Sequence, residues 1–249
     1  MDSIIMQLKA LKLSGMADAF NARIKEAAAN QIGHADFISL LLEDERLERQ
    51  RKQYQRRYKK ADFKGFKTLE NFDFSANPKI NQSMIRDLAT CRFIKEGSPV
   101  IIEGPCGTGK THIAQAIGHC AVQSGCDVIL TSQTKLAQQL QSAKALNTYE
   151  QTMKRIAKVP LLIIDDFGLK PLRSPEDEYL HELIAERSEF KSTLITSNLS
   201  THEWHQAFPN KLLGAATIDR LVHNAYMLTI EGKSYRAIKN LQKGDDMTT

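Results

Sequence analysis

The sequence predicts an α/β protein, a parallel sheet flanked by helices, with a small all-α domain in front of it. Three observations carry this reading. From residue 99 onward, short apolar runs alternate with helical stretches, the pattern of strands joined by crossover helices. Leu161-Leu-Ile-Ile164 is apolar at every position, as a strand covered on both faces must be. Residues 1–60 contain no such run and instead repeat apolar residues at helical spacing.

The elements follow in chain order. Ile4, Ile5, Leu8, Leu11, Leu13 and Met16 recur at near-helical intervals, Ser14-Gly15 marks a break, and Ala17 to Ala29 continues as a second helical stretch. After Gly33, residues 34–60 form the longest helical run, with Phe37, Leu40, Leu41 and Leu47 on a stripe that passes to Tyr54 and Tyr58. Residues 66–80, FKTLENFDFSANPKI, lack a clear period and read as a linker, which places the domains at 1–66 and 67–249. The second domain then reads strand 99–103, helix 110–123, strand 127–131, helices 134–145 and 149–157, strand 161–164, helix 176–188 and strand 192–196.

Composition narrows the class. The 249 residues are 42% hydrophobic, enough for a core, and the mean hydropathy of -0.36 is that of a soluble chain. No apolar stretch reaches the ~18 residues of a membrane span, and charges throughout the first 30 residues leave no signal-peptide core. Cys91, Cys106, Cys120 and Cys126 form no C-x-x-C pair, and His202 and His205 have no cysteine or acidic cluster beside them. These features predict a reduced, cytoplasmic protein without a structural metal.

The charge is unevenly placed. Residues 1–67 hold 14 Lys/Arg against 9 Asp/Glu, so the whole formal excess of +5 lies in the N-terminal quarter. Residues 46–60, RLERQRKQYQRRYKK, hold eight Lys or Arg and one Glu. Three readings compete: a solvated helix face, a grip on DNA phosphates, and a docking surface for an acidic protein. Self-repulsion with a single Glu to offset it weighs against the first. A phosphate grip would use Arg49, Arg51, Lys52, Arg56, Arg57, Lys59 and Lys60, and its affinity would be salt-sensitive and independent of sequence.

Two motifs carry chemistry. Residues 104–111, GPCGTGKT, satisfy G-x-x-x-x-G-K-[ST] between an apolar strand and a helix, the context the motif requires. Gly104, Gly107 and Gly109 let successive N–H groups of Gly104, Pro105, Cys106, Gly107, Thr108, Gly109, Lys110 and Thr111 (proline excepted) turn toward phosphate oxygens. Lys110 should reach the β- and γ-phosphates of ATP, and the Thr111 hydroxyl should ligate Mg²⁺. Downstream, LLIIDDFG places Asp165 and Asp166 at the C-terminal end of a strand, where ligands sit in open parallel sheets. Asp165 would hold Mg²⁺ through the metal's water shell, and Asp166 would polarise the attacking water. Asn198, in TSN after the strand at 192–196, could position that water.

These elements in this order resemble the AAA+ ATPases and, more narrowly, the IstB-like proteins, ATP-dependent helpers of insertion-sequence transposases. The resemblance rests on GPCGTGKTHIAQAIG (104–118), LLIIDDFGL (161–169), LITSNLS (194–200), IDRLVHNA (218–225), LKALKLSGMADAF (8–20) and LENFDFSANPKIN (69–81), and it covers nearly the whole chain. It implies an AAA+ P-loop core in which residues 104–111 form Walker A, Asp165 and Asp166 form Walker B, and Asn198 is sensor 1. It further implies that Arg220 completes a neighbouring subunit's site, with Arg187 competing for that role and Arg236 a candidate sensor 2. Its partners would be duplex DNA, a cognate transposase and further copies of the chain around ATP, with no membrane. Where many AAA+ proteins have Asp-Glu, this chain has Asp-Asp, which predicts slow or partner-dependent hydrolysis. A helicase loader of the DnaC type, with a similar core, is the alternative; a small-molecule kinase leaves Asp166, Arg220 and the basic run without a task.

Overall fold

The computed structural model describes residues 2–232, 234 and 235. The chain divides into two compact units, residues 1–56 and 57–249, so the division falls inside a helix rather than in the 66–80 segment.

The first unit contains α1 (Asp2–Ala10), α2 (Ser14–Asn30) and the beginning of α3 (His34–Ala61). Its core is Met16, Phe20 and Leu41, with Ile5, Leu8, Leu13, Ile24 and Phe37 packed around them. Gly15 lets α2 approach α3 closely, because a Cβ there would lie 2.6 Å from the Asp44 carbonyl oxygen and 2.7 Å from the Glu45 Cα. The Glu45 carboxylate uses that proximity: it accepts from the N–H groups of Gly15 at 2.7 Å and Met16 at 3.3 Å, satisfying free donors at the start of α2. The Arg23 guanidinium forks onto Asp44 at 2.7 and 2.8 Å and fixes the same two helices.

The second unit is a parallel sheet of β1 (Val100–Glu103), β2 (Val128–Ser132), β3 (Leu161–Phe167), β4 (Ser192–Ser197) and β5 (Tyr226–Thr229) in the order β2-β3-β4-β1-β5. Around it lie α4 (Gln82–Ala89), α5 (Arg92–Glu96), α6 (Lys110–Gln123), α7 (Gln133–Ala145), α8 (Tyr149–Ala157), α9 (Glu176–Arg187) and α10 (Lys211–Val222). The layered α/β architecture is the predicted one. Strand β4 lies between β1 and β3, so the C-terminal end of β4 stands between the loop that follows β1 and the carboxylates that end β3. That reversal of strand order is where open parallel sheets bind ligands.

Besides two 3-10 helices at Phe74–Ala76 and Thr201–Ala207, four elements among the described residues lie outside the sequence expectation. Helix α4 buries only Ile85 and Leu88, and α5 is five residues long, so neither carries a readable period. The buried face of α10 is Gly214, Thr217 and Leu221, which hides an inward stripe behind small and polar residues. Strand β5 is an edge strand in which, of Tyr226–Thr229, only Leu228 is buried. No helix among the described residues is long and apolar enough to cross a membrane.

Candidate nucleotide site

The loop after β1 is shaped by its glycines. Gly104, Gly107 and Gly109 have φ of 144°, 82° and 96°, values that residues with a side chain rarely adopt. Space forbids a side chain as well: a Cβ on Gly104 would collide with the Ile230 carbonyl, one on Gly107 with the Ser234 hydroxyl, and one on Gly109 would lie 2.7 Å from the Phe72 ring. The loop is thus walled by Ile230, Ser234 and Tyr235 on one side, where the Tyr235 N–H donates to the Gly107 carbonyl at 2.9 Å, and by Phe72 on another. His112 Nε2 donates to the Thr68 carbonyl, 2.8 Å away, which ties Thr68 to the start of α6.

Helix α6 begins at Lys110, and its first N–H groups have no intrahelical partners, which makes its start an anion site. Lys110 is buried and donates to the Gly104 and Pro105 carbonyls at 2.8 and 2.7 Å. Burial pushes its pKa down, and Cys106, Asp166 and Asp165 oppose that shift. Thr108 closes the loop with a 2.9 Å bond from its hydroxyl to the Pro105 carbonyl.

The structure brings the two motifs together. The Thr111 hydroxyl donates to Asp165 Oδ1 at 2.8 Å. Asp165 is buried at 3% exposure, and the same oxygen accepts the hydroxyl of Thr196 at 2.5 Å. A hydroxyl and a carboxylate at the start of α6 are the oxygen donors a hard cation with few protein ligands takes, so these residues fit Mg²⁺. Asp166 lies within a register shift between Ile164 and Phe167 and has φ 57°, a left-handed conformation that Asp and Asn enter more readily than longer side chains. The Asp-Asp pair therefore suits the backbone it occupies. Asn198 is half-buried just past the end of β4, between the ends of β1 and β3, and its side chain makes no hydrogen bond among the described residues.

The three arginines separate cleanly. Arg187 is 1% exposed, and its guanidinium donates to the Thr193 hydroxyl and to the carbonyls of Ile156, Ala157, Val159 and Ser192. Burial pushes its pKa down to about 9. A group so enclosed ties α8, α9 and β4 together and cannot reach a neighbouring subunit, which removes it as a competitor for that role. Arg220 is exposed, with one long 3.4 Å bond to the Ala216 carbonyl and no ion pair among the described residues. It lines a cleft of about 550 Å³ with Glu96, Pro99, Glu189 and Lys191, at the N-terminal ends of β1 and β4. That is the end of the sheet opposite the phosphate loop. Arg236 lies outside the described residues.

The basic run is more neutralised than its sequence implies. Arg49 pairs with Glu45, Arg51 and Lys52 with Glu48, and Arg46 with Glu43, partners a turn back along α3. Arg57 and Lys60 pair with Asp127 at 3.3 and 2.8 Å. Among the described residues, Arg56 and Lys59 have no acidic partner, and both are exposed.

The profile of the family described as IstB-like ATP binding protein matches residues 6–243. The chain belongs to that family. It is 36% identical over 233 residues to an ATP-binding protein in an insertion sequence of Mycobacterium tuberculosis, covering 93% of both chains. It is 32% identical over 248 residues to the ATP-binding protein of insertion sequence IS21 from Pseudomonas aeruginosa, covering 100% of this chain and 93% of the relative. Among solved structures, the DnaC helicase loader aligns with a TM-score of 0.54 at 21% identity over 70% of this chain and 98% of its own. The replication initiator DnaA bound to AMPPCP and single-stranded DNA aligns with a TM-score of 0.58 at 22% identity, over 72% of this chain and 55% of its own. The fold is that of an AAA+ P-loop ATPase, and the protein is an ATP-binding protein of the insertion-sequence type.

Sequence reasoning missed Thr196. It lies in the quoted TSN, but only the register of β3 against β4 reveals that its side chain faces the carboxylates.

Proposed function

We propose that the protein is an ATP-dependent, DNA-binding regulator of transposition that assembles on duplex target DNA and delivers it to a partner transposase, with ATP hydrolysis as the release switch. In this reading residues 1–66 serve DNA binding and assembly, and residues 67–249 serve ATP. The observation that carries it is the convergence of Thr111 and Asp165 at the start of α6, beside a glycine loop with no room for side chains.

The chain's own residues supply the chemistry as follows. The amides of residues 104–111 and the positive end of α6 hold the phosphates. Lys110, which donates to loop carbonyls beside the start of α6, reaches the β- and γ-phosphates. Thr111 and Asp165 would hold Mg²⁺, which neutralises charge on the phosphate oxygens when bound. Asp166 accepts the proton of the attacking water, and Asn198 orients that water with its unengaged amide. Arg220 stands at the far end of the sheet from its own phosphate loop, so it serves a neighbouring copy's γ-phosphate. ATP then bridges subunits, and hydrolysis loosens the bridge. Arg49, Arg51, Lys52, Arg56, Arg57, Lys59 and Lys60 line α3 toward phosphate oxygens, Arg56 and Lys59 most readily.

Duplex binding by fluorescence anisotropy at two salt concentrations, with ATP and with ADP, tests this reading. It expects binding that is tighter with ATP and weaker at high salt. Absence of binding in every nucleotide state overturns it and favours loading of a helicase through a protein partner.

A further inference from the structure

We infer that Thr196 is the positioning residue that holds the carboxylate pair of the ATP site in its working arrangement, an inference that rests on the proposed ATPase reading. Ile164 pairs with Ile195 and Phe167 with Ser197, so Asp165 and Asp166 on β3 stand opposite the single residue Thr196 on β4. This is a β-bulge, which re-aims the side chains beside it. Here the Asp166 N–H donates to Thr196 Oγ1 at 3.1 Å.

The polarity of the arrangement is then determined. An N–H can only donate, so the Thr196 oxygen accepts, and its own proton must go to Asp165 Oδ1, 2.5 Å away. One hydroxyl thus fixes the rotamer of Asp165 and the left-handed backbone of Asp166 together. Thr196 is 1% exposed, so no solvent replaces it. Thr111 donates to the same Asp165 oxygen, but its hydroxyl is the one nucleotide-bound metal would claim; the Thr196 bond is the one that remains. Position 196 also reaches the phosphate loop. Thr196 is in register with Ile102, and the Gly104 N–H donates to the carbonyl of the next residue, Ser197, at 3.2 Å. The role needs a group that accepts and donates in little space. Serine meets that need; valine, of nearly the same shape, does not.

The test uses the full chain with Thr196→Val and Thr196→Ser, each checked by thermal melting. A fluorescent non-hydrolysable ATP analogue is titrated with Mg²⁺ and with EDTA, and ATPase kcat and KM are measured alongside. Thr196→Val should leave metal-free binding unchanged. It should shift the Mg²⁺ half-point of analogue binding upward and lower kcat more than it changes KM, each by about tenfold or more, the scale of a lost hydrogen bond to a charged group. Thr196→Ser should match the wild type in both. Wild-type Mg²⁺ dependence in Thr196→Val overturns the inference, as does a Thr196→Ser as impaired as Thr196→Val, which would assign the effect to packing of the methyl group. If Thr196→Val does not fold, Thr196→Ala carries the same comparison. If the wild-type protein hydrolyses no ATP under any condition, the ATPase reading falls, while the Mg²⁺ half-points still decide the role of Thr196.

Discussion

Replacing Arg220 by alanine should separate nucleotide binding from hydrolysis. The side chain is exposed and holds only a 3.4 Å bond to the Ala216 carbonyl, so its loss should alter stability by no more than about 0.5 kcal/mol. Its own phosphate loop is out of reach. Arg220 lines the cleft at the start of β1, and the four residues of β1 alone span roughly 13 Å before the loop begins. An arginine that acts on a neighbour's γ-phosphate contributes about 10³–10⁵-fold to turnover, so Arg220→Ala should bind ATP normally and hydrolyse almost none. The decisive assay mixes it with Asp166→Asn, whose asparagine tolerates the left-handed backbone at that position. Each variant alone should be inactive. In an equal mixture with head-to-tail interfaces, about a quarter of the sites pair an intact carboxylate with an intact arginine, so about a quarter of wild-type ATPase should return. A mixture as inactive as its components, or an Arg220→Ala with normal turnover, refutes the assignment in trans.

Three further outcomes follow from the same structure. Gly15→Ala places a Cβ 2.6 to 2.8 Å from the atoms of Asp44, Glu45 and Glu48, and this overpacking should cost about 2 kcal/mol, lowering the melting temperature and DNA affinity while ATP binding in the second unit persists. Replacing Arg56 and Lys59 together by alanine should weaken duplex binding and reduce the slope of log K against log salt by about 1.8, since each neutralised phosphate contributes about 0.9; replacing Arg51, already paired with Glu48, should change it less. In acid, burial pushes the Glu45 carboxyl up, but bonds from Arg49, Met16 and Gly15 hold it below its usual value, while Arg51 and then Lys52 hold Glu48 at about 2. A carboxyl with a depressed folded pKa stabilises the fold above its unfolded value and loses that contribution as protons bind. Melts followed by circular dichroism should therefore show stability that is constant above the ordinary glutamate value of 4.5 and falls as the pH approaches 2.

What the sequence made legible is what local pattern encodes. Helix α6 spans Lys110–Gln123 and α8 spans Tyr149–Ala157, the predicted bounds, because each begins at a distinct break and carries its apolar residues locally. Leu161 to Ile164 lie in an internal strand of the sheet, and the glycine loop lies between an apolar strand and a helix, the context its motif requires. The rest depended on pairing across the chain. Thr196 became visible only through the bulge opposite it, and Arg187 proved structural because four carbonyls from distant turns converge on its fork. The basic run looked unbalanced because three of its acidic partners lie before or far beyond it, at Glu43, Glu45 and Asp127. Helix α10 escaped notice because glycine and threonine face its core.

The central claim is that ATP, bound between copies, assembles this chain on duplex DNA. Sedimentation velocity of a fluorescent duplex with the full-length protein tests it most directly, comparing ATP, ADP and Lys110→Ala with ATP. A large complex that forms with ATP alone, and not with ADP or the variant, is the predicted result. A duplex that sediments identically in all three conditions would contradict the account.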